Sequence, residues 1–190
     1  MNLHHIKTHY TSLAIIPPSA LWEPIQIIRR EHDRQVARWM PHINLLYPFW
    51  PEERFADTVP ILKEICSGIV PFDIALREFR HFDQGGDRHM MYLAPEPEKP
   101  IHALQTALLE KFPECVDTAR HSGGFVPHMN VGQATTEALE PLLATLRMEW
   151  KPLTFMASSV ALLARSPGTP FQVKRIVAMR VGSGIYPKTA

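Results

Sequence analysis

Runs of apolar residues with two different periods divide the chain into short strands and helices. In a strand every second side chain faces the same way, whereas helical apolar residues recur every three or four positions. Short or alternating apolar runs predict seven strands, at 12–16, 42–47, 72–82, 89–93, 125–132, 160–165 and 171–181. Three-to-four spacing predicts four helices, at about 19–35, 52–67, 101–112 and 135–148. Strands and helices therefore interleave along the chain.

Two pairs of predicted strands are separated only by turn-forming residues. The segments 72–82 and 89–93 flank a Gln-Gly-Gly-Asp turn, and 160–165 and 171–181 flank a Ser-Pro-Gly-Thr-Pro turn. Short turns of this kind join antiparallel neighbours. The pattern favours an α+β protein with antiparallel sheets over a wound parallel sheet.

One proline-rich connector stands out among the predicted loops. Residues 95–100 read Pro-Glu-Pro-Glu-Lys-Pro, which is typical of a boundary between structural units. We place the approximate seam between two lobes there. The chain, 1–190, is predicted to be a single bilobal domain, because this length can bury two small lobes that share one core.

The composition is that of an ordinary soluble globular protein. Hydrophobic residues make up 45% of the chain and charged residues 21%, and no run approaches the roughly 18 apolar residues of a membrane span. Residues 1–10 lack the apolar core of a signal peptide, so a cytoplasmic location is expected. Cys66 and Cys115 form no metal-binding or redox pattern and are predicted to be free buried thiols.

The charge balance limits the choice of partners. A formal net charge of +1 argues against a bulk electrostatic binder of duplex DNA. A small nucleotide or an RNA end needs only a local positive patch, and is compatible with this balance.

A short polar pattern occurs twice. Pro41-His42-Ile43-Asn44-Leu45 and Pro127-His128-Met129-Asn130-Val131 both read Pro-His-apolar-Asn-apolar. In an extended strand each copy places its imidazole and carboxamide on one face and its apolar residues on the other. One copy would be typical of a wet sheet face. Two copies indicate two similar lobes related by a pseudo-twofold, which would bring His42 and His128 face to face.

These motifs resemble those of the two-histidine phosphoesterases. That family includes RNA 2′,5′-ligase-like proteins and 2′,3′-cyclic nucleotide phosphodiesterases, and each lobe carries a His-x-Thr/Ser motif. The first motif is often followed by a Tyr-Pro-Phe-like run, as in Leu46-Tyr47-Pro48-Phe49. Asn44 and Asn130 stand where the family has Thr or Ser. A carboxamide can also donate a hydrogen bond, with a longer reach and different geometry.

The resemblance implies a fold and an activity. The fold is bilobal, with two antiparallel sheets facing across a central groove and helices outside. The activity is metal-independent opening of 2′,3′-cyclic phosphates at RNA 3′ ends or on small nucleotides, with no cofactor. The resemblance implies that His42 and His128 divide the acid and base roles. Asn44 and Asn130 would donate hydrogen bonds to the phosphate.

Several neighbours of the motifs have two interpretations each. Arg120 and His121, in the loop before the second motif, could bind an anionic substrate or belong to a solvated loop. Trp39 and Phe125, three residues before each histidine, could stack a base or pack at the start of a strand. Tyr47 is at odd spacing from His42, so it should face away from the groove unless a bulge intervenes.

Two groups of charged residues are predicted to lie at the surface. The charged end of the first helix, residues 29–34, is most simply a solvated face. Arg165, beside the last hairpin, is predicted to be a surface charge.

Two alternatives to an enzyme remain open. The chain could be a binding module of the same fold that holds a nucleotide or RNA end without turnover. It could also be a structural or metal-binding protein in which His42 and His128 are core histidines on opposite sides of the molecule. We expect a monomer and no membrane partner.

Overall fold

The computed structural model describes residues 7–119 and 124–180. The strands are β1 Thr11–Ile15, β2 Ile43–Leu46, β3 Phe72–Asp83, β4 His89–Glu96, β5 Met129–Ala134, β6 Leu153–Ala157, β7 Ser159–Ala164 and β8 Gln172–Ala178. The helices are α1 Trp22–His32, α2 Phe55–Ser67, α3 Glu98–Lys111 and α4 Thr136–Glu149. All seven predicted strands and all four predicted helices are present, with ends that differ by a few residues.

The strands form two four-stranded antiparallel sheets. The first has the order β2-β1-β7-β8 and the second the order β5-β4-β3-β6. Both predicted hairpins, β3 with β4 and β7 with β8, are confirmed. The α+β class with two antiparallel sheets, predicted from the hairpins and from the resemblance, is therefore confirmed.

Strand β6 was not predicted. It pairs with β3 at the edge of the second sheet, and every second residue is turned outward, with Met156 60% exposed. An outward-facing methionine conceals the alternation of apolar and polar residues on which strand prediction depends.

The connector at 95–100 does not separate the two sheets. It lies between β4 and α3, and β4 pairs with β5, which comes after it in the chain. The first sheet instead combines β1 and β2 with β7 and β8, so chain order alone does not define the division between sheets. Each sheet still carries one motif, on β2 and on β5.

Helix α1 lies against strand β5 of the opposite sheet. A Cβ atom on Gly132 would lie 2.5 Å from the Cβ atom of His32 and 2.8 Å from its carbonyl, closer than atoms approach without displacement. Glycine at this position allows the end of α1 to lie directly on β5, next to the second motif.

Most of the buried apolar side chains form one core, and a smaller cluster of Ala14, Ala161, Leu163 and Phe171 is separate from it. One cluster of buried residues joins both sheets and all four helices. Cys66 and Cys115 are free and buried as predicted, and burial raises the pKa of the Cys66 thiol to about 11 and that of Cys115 to about 12. Within the described ranges, no helix combines the length and apolar character needed to cross a membrane.

Candidate active site

The two copies of the motif have the same local geometry. His42 and His128 each directly precede a strand, β2 and β5. The Nδ1 atom of His42 lies 2.7 Å from the carbonyl oxygen of Met40, and that of His128 lies 2.8 Å from the carbonyl oxygen of Val126. A carbonyl can only accept, so each Nδ1 carries the proton and donates it. In its neutral form, each imidazole therefore presents Nε2 as an acceptor.

The repeat extends to a bulge in each strand. Leu13 pairs with Leu46 and Ala14 with Asn44, so Leu45 is an extra residue in β2. In β5, Val131 is extra in the same way, one residue after Asn130. A bulge shifts the alternation of side chains beyond it. As a result Tyr47 lines the cavity described next, which is the exception that the prediction made for a bulge.

A cavity of about 150 Å³ lies where the two motifs meet. Its lining includes both histidines and both asparagines of the motifs, together with Arg29, Gln35, Trp39, Tyr47 and Met90. The four motif side chains come from opposite sheets. The alternative in which His42 and His128 lie on opposite sides of the molecule is therefore wrong.

His42 is only 9% exposed and its environment favours the neutral imidazole. The pKa of His42 is lowered to about 4, chiefly by burial and also by the charges of Arg29 and His128. The bond to the Met40 carbonyl and the charge of Asp33 oppose this effect without cancelling it. At neutral pH His42 is thus uncharged, with a lone pair on Nε2, which is the form required of a general base.

Hydrogen bonds fix the orientation of both motif amides. The Ser12 hydroxyl donates to Asn44 Oδ1 at 2.6 Å, and Asn44 Nδ2 donates to His42 Nε2 at 3.0 Å. On the other side, the Gly132 N–H donates to Asn130 Oδ1 at 3.0 Å. Both amide oxygens are therefore occupied, and the NH₂ groups are left as the donors available at the cavity.

A buried ion pair lies beside His42. Both Nε and Nη2 of Arg29 bond to Asp33 Oδ2, at 2.9 and 2.8 Å, and the two side chains are 2% and 0% exposed. Nη1 of Arg29 also donates to the Trp39 carbonyl at 2.8 Å. The prediction of a solvated face was therefore wrong for these two residues. Arg29 is four positions after Ile25, on the buried stripe of α1, and that spacing was the signal for its burial.

The other predicted site residues are placed as follows. Trp39 lines the cavity, but its ring is stacked against His42 on one side (centroids 4.4 Å apart) and Phe171 on the other (3.6 Å). Phe125 is buried in the core against His102. Packing, the alternative interpretation of both aromatics, is favoured over base stacking. Arg120 and His121 lie outside the described residues.

The depressed pKa of His42 predicts a pH-dependent stability. Between about pH 6.5 and pH 4 the unfolded chain binds a proton at this position and the folded chain does not, so acid favours unfolding there. The contribution of His42 to the free energy of unfolding is complete above pH 6.5. About 3 kcal/mol of it is lost on going to pH 4, at 1.36 kcal/mol per pKa unit.

Urea unfolding at pH 7.5, 5.5 and 4 would measure this loss. It is the difference between the wild-type protein and His42→Gln in how the free energy of unfolding changes with pH. His102→Gln, which removes a 43% exposed histidine side chain, is the control and should retain the wild-type slope. An identical pH slope in His42→Gln and wild type would contradict the prediction.

Ser12 is predicted to maintain the pKa of His42. In Ser12→Ala, Asn44 can rotate and present its oxygen to His42 Nε2, which stabilises the protonated ring and raises its pKa. NMR titration of the histidine ring signals would measure the shift. Thr11→Val removes a neighbouring buried hydroxyl, one that bonds to the Phe49 carbonyl, and should leave His42 unchanged. A His42 titration that is the same in Ser12→Ala as in wild type would rule out this role.

In the part of the chain that the structure describes, no group of three or more His, Cys, Asp or Glu side chains is arranged to hold a metal ion. The site instead contains paired imidazoles with paired amide donors. Two imidazoles that line one cavity are suited to acid–base chemistry on an anionic group.

The comparisons agree with this fold. A family model, described as the 2'-5' RNA ligase superfamily, matches residues 17–169. The chain belongs to that superfamily. It is 29% identical over 126 residues to "Putative phosphoesterase GK0864" of Geobacillus kaustophilus, covering 64% of this chain and 67% of that protein.

Solved structures share the fold at low sequence identity. TT0787 of Thermus thermophilus aligns with a TM-score of 0.61 and 18% identity, over 90% of this chain and 98% of that one. Apo LigT of E. coli aligns with a TM-score of 0.58 and 15% identity, over 92% and 99%. LigT has also been solved with phosphate and with 3'-AMP.

Proposed function

We propose that this protein is a metal-independent phosphodiesterase that opens 2′,3′-cyclic phosphates of RNA ends or small nucleotides. The observation that carries the proposal is the convergence of His42, Asn44, His128 and Asn130, from two different sheets, on one cavity. Membership of the superfamily and the similarity to a protein named as a phosphoesterase support phosphoester chemistry in general. The LigT complexes support a nucleotide as the class of substrate.

The environment of His42 suits it to the base role. Its neutral Nε2 removes a proton from a water molecule, whose oxygen then attacks the phosphorus atom. The bond from phosphorus to one ribose oxygen breaks, and His128 supplies the proton that this leaving oxygen requires. The products are a phosphomonoester and a ribose hydroxyl, and a proton transfer between the histidines restores the starting state.

The low pKa of His42 is a property of the free protein. A base with so low a pKa has little driving force for removing a proton from water. An anionic cyclic phosphate in the cavity favours the protonated ring, so substrate binding raises the pKa of His42 toward neutrality. The acid limb of kcat should therefore lie at higher pH than that of kcat/KM, which reports the free enzyme.

The asparagines supply the donors to the phosphate. Since their oxygens bond to Ser12 and Gly132, their NH₂ groups are the parts that can contact the non-bridging oxygens. Fixed donors of this kind stabilise charge that develops in the transition state without needing to reorganise.

A binding module of the same fold is the second candidate function. The observation that favours it is the Asn44 Nδ2 bond to His42 Nε2 at 3.0 Å, because it occupies the lone pair that the base requires. In the enzyme this bond must yield to water or substrate. In a binding module it would persist and suppress turnover.

An assay of hydrolysis in the presence of EDTA separates the two functions. Its substrates are the four 2′,3′-cyclic mononucleotides and a short RNA with a cyclic phosphate end. Turnover by wild type supports the enzyme. Turnover only by the Asn44→Thr/Asn130→Thr double variant, with nucleotide binding by wild type, supports the binding module. Loss of activity on adding EDTA, restored by a divalent metal, would refute metal independence. Absence of both turnover and nucleotide binding would refute both functions.

A further inference from the structure

A second cavity adjoins the catalytic one and is lined by arginines. Its volume is about 360 Å³, and its lining includes Arg34, Arg38 and Arg165 together with Thr169 of the β7–β8 turn. Gln35 lines both this cavity and the catalytic one, so the two are neighbours. The cavity is closed on one side by the turn, which is tied to the α1–β2 segment by a bond of 2.8 Å from Phe171 N to the Arg38 carbonyl.

These three arginines differ from most others in the described part of the chain. Arg29, Arg30, Arg54, Arg77, Arg80 and Arg147 each pair with a carboxylate. No described carboxylate lies within ion-pair distance of Arg34, Arg38 or Arg165, and none lines the cavity. Like charges gathered without counter-charges repel one another, and an anion would relieve that repulsion.

Arg165 is held in place by aromatic rings. Its guanidinium carbon lies 4.8 Å from the centroid of Tyr10 and 5.4 Å from that of Phe171, distances typical of cation–π contacts. Its Nε atom is buried and has no hydrogen-bond partner among the described residues. A buried donor without a partner is costly, so the aromatic contacts hold Arg165 in place against this cost. The prediction of a simple surface charge was therefore wrong.

The positive charge of this cavity extends to the catalytic site. Tyr47 lines the catalytic cavity, and burial raises the pKa of its hydroxyl while Arg165 and Arg38 act to lower it. A cavity on the other side of the site, of about 390 Å³, is lined by Arg34 and Arg88 but also by Asp87. The negative charge of Asp87 makes that side less suited to a second anion.

We propose that Arg38 and Arg165, with Arg34 at the edge, form a second phosphate subsite that binds the phosphodiester on the 5′ side of the cyclic phosphate at an RNA end. Arginine suits this role because its planar donors match phosphate oxygens. The inference rests on the proposed function and restricts its class of substrate. The preferred substrate is an RNA end, because a cyclic mononucleotide has no phosphate that can reach this subsite.

Three substrates test the proposal. The first is a 2′,3′-cyclic mononucleotide, the second a dinucleotide ending in the same cyclic nucleotide, and the third the mononucleotide with an added 5′-phosphate. We expect kcat/KM for the dinucleotide to exceed that for the mononucleotide by about tenfold or more, and this ratio to fall as salt is raised. A 5′-phosphate that gives the same gain as the dinucleotide would show that the subsite accepts any phosphate at this position, and would overturn the preference for an RNA end.

Arginine variants connect the preference to this cavity. Arg38→Gln and Arg165→Gln should each lower kcat/KM for the dinucleotide by about fivefold more than for the mononucleotide, whereas Arg165→Lys should recover part of the loss. Arg175→Gln is the control, because Arg175 is exposed like Arg38 and has no described carboxylate partner, yet lies outside the cavity. Equal losses on both substrates, or equal behaviour of Arg165→Gln and Arg175→Gln, would overturn the proposal.

A binding measurement keeps this test independent of turnover. If wild type hydrolyses none of the substrates, the proposed enzyme function fails, and the subsite is tested by calorimetry with a 3′-phosphorylated dinucleotide and the corresponding 3′-mononucleotide. Tighter binding of the dinucleotide that is lost in Arg38→Gln and Arg165→Gln supports the subsite. Equal affinities for the two ligands would refute it. Thermal unfolding of each variant confirms that it is folded.

Discussion

Replacement of His42 or His128 by alanine is expected to lower kcat for 2′,3′-cyclic phosphate hydrolysis by about 10²- to 10⁴-fold, the usual contribution of a positioned acid or base. Both imidazoles line the same cavity, so each loss should be large. Because the two residues act in one step, the double variant should be little worse than the more severe single variant.

The assignment of the two roles can be tested with the leaving group. An aryl phosphodiester releases a weakly basic phenolate, which needs little protonation. The loss in His128→Ala should therefore be much smaller on this substrate than on a cyclic nucleotide, whereas the loss in His42→Ala should be similar on both. The reverse pattern would exchange the roles of the two histidines.

His102→Ala is the control for these variants. His102 is a partly exposed histidine on α3, near Glu98 and outside the catalytic cavity, and its replacement should leave both activities unchanged. Wild-type activity in His42→Ala or in His128→Ala would refute the acid–base pair.

Replacement of Asp33 by alanine is expected to lower the free energy of unfolding by about 3–5 kcal/mol, because it leaves the buried charge of Arg29 without its partner. The side chain of Asp33 is fully buried, and besides Arg29 it accepts from the backbone N–H of Gln35 at 2.9 Å. Urea unfolding with a common slope would give the difference. Glu31→Ala, an acidic residue on the same helix with a 71% exposed side chain, should cost less than about 1 kcal/mol.

The corresponding double variant tests the physical reason. Arg29→Met/Asp33→Leu removes both charges and fills the space with apolar side chains, so it should recover most of the stability lost in Asp33→Ala. It should also reduce the activity, because Arg29 lines the catalytic cavity and its positive charge there favours an anionic substrate. A double variant as unstable as Asp33→Ala would show that packing, and not the unpaired charge, is responsible.

The sequence predicted most strands, the helices and the hairpins, but not how the strands divide between the two sheets. The hairpins were predictable because both strands and their turn are adjacent in the chain, as for β3 and β4. The pairing of β1 with β7 joins residues near opposite ends of the chain, and local periodicity contains no information about it. The proline-rich stretch at 95–100 therefore resembled a lobe seam although β4 and β5 pair across it.

The residues of the candidate site can be sorted in the same way, into those that the sequence shows and those that depend on packing. The paired His-x-Asn motifs are visible in the sequence because each is local and repeated. The spacing of Arg29 from Ile25 indicated its burial, but its position at the cavity depends on where α1 packs and was missed for that reason. The bulge that turns Tyr47 toward the cavity depends on register with β1, and the ring stacking that occupies Trp39 depends on Phe171, which is distant in the chain.

By itself the sequence determined the α+β class, the strands that carry the motifs, and the residues suited to acid–base chemistry. These follow from side-chain period and from functional groups, which are properties of neighbouring residues. Only the tertiary structure decided that the two motifs share one cavity, that burial keeps His42 neutral, and that three arginines without a described carboxylate partner line a cavity beside the site. Burial, electrostatic interactions and shared cavities involve segments that are far apart in the chain, and they arise from the packing of the two sheets.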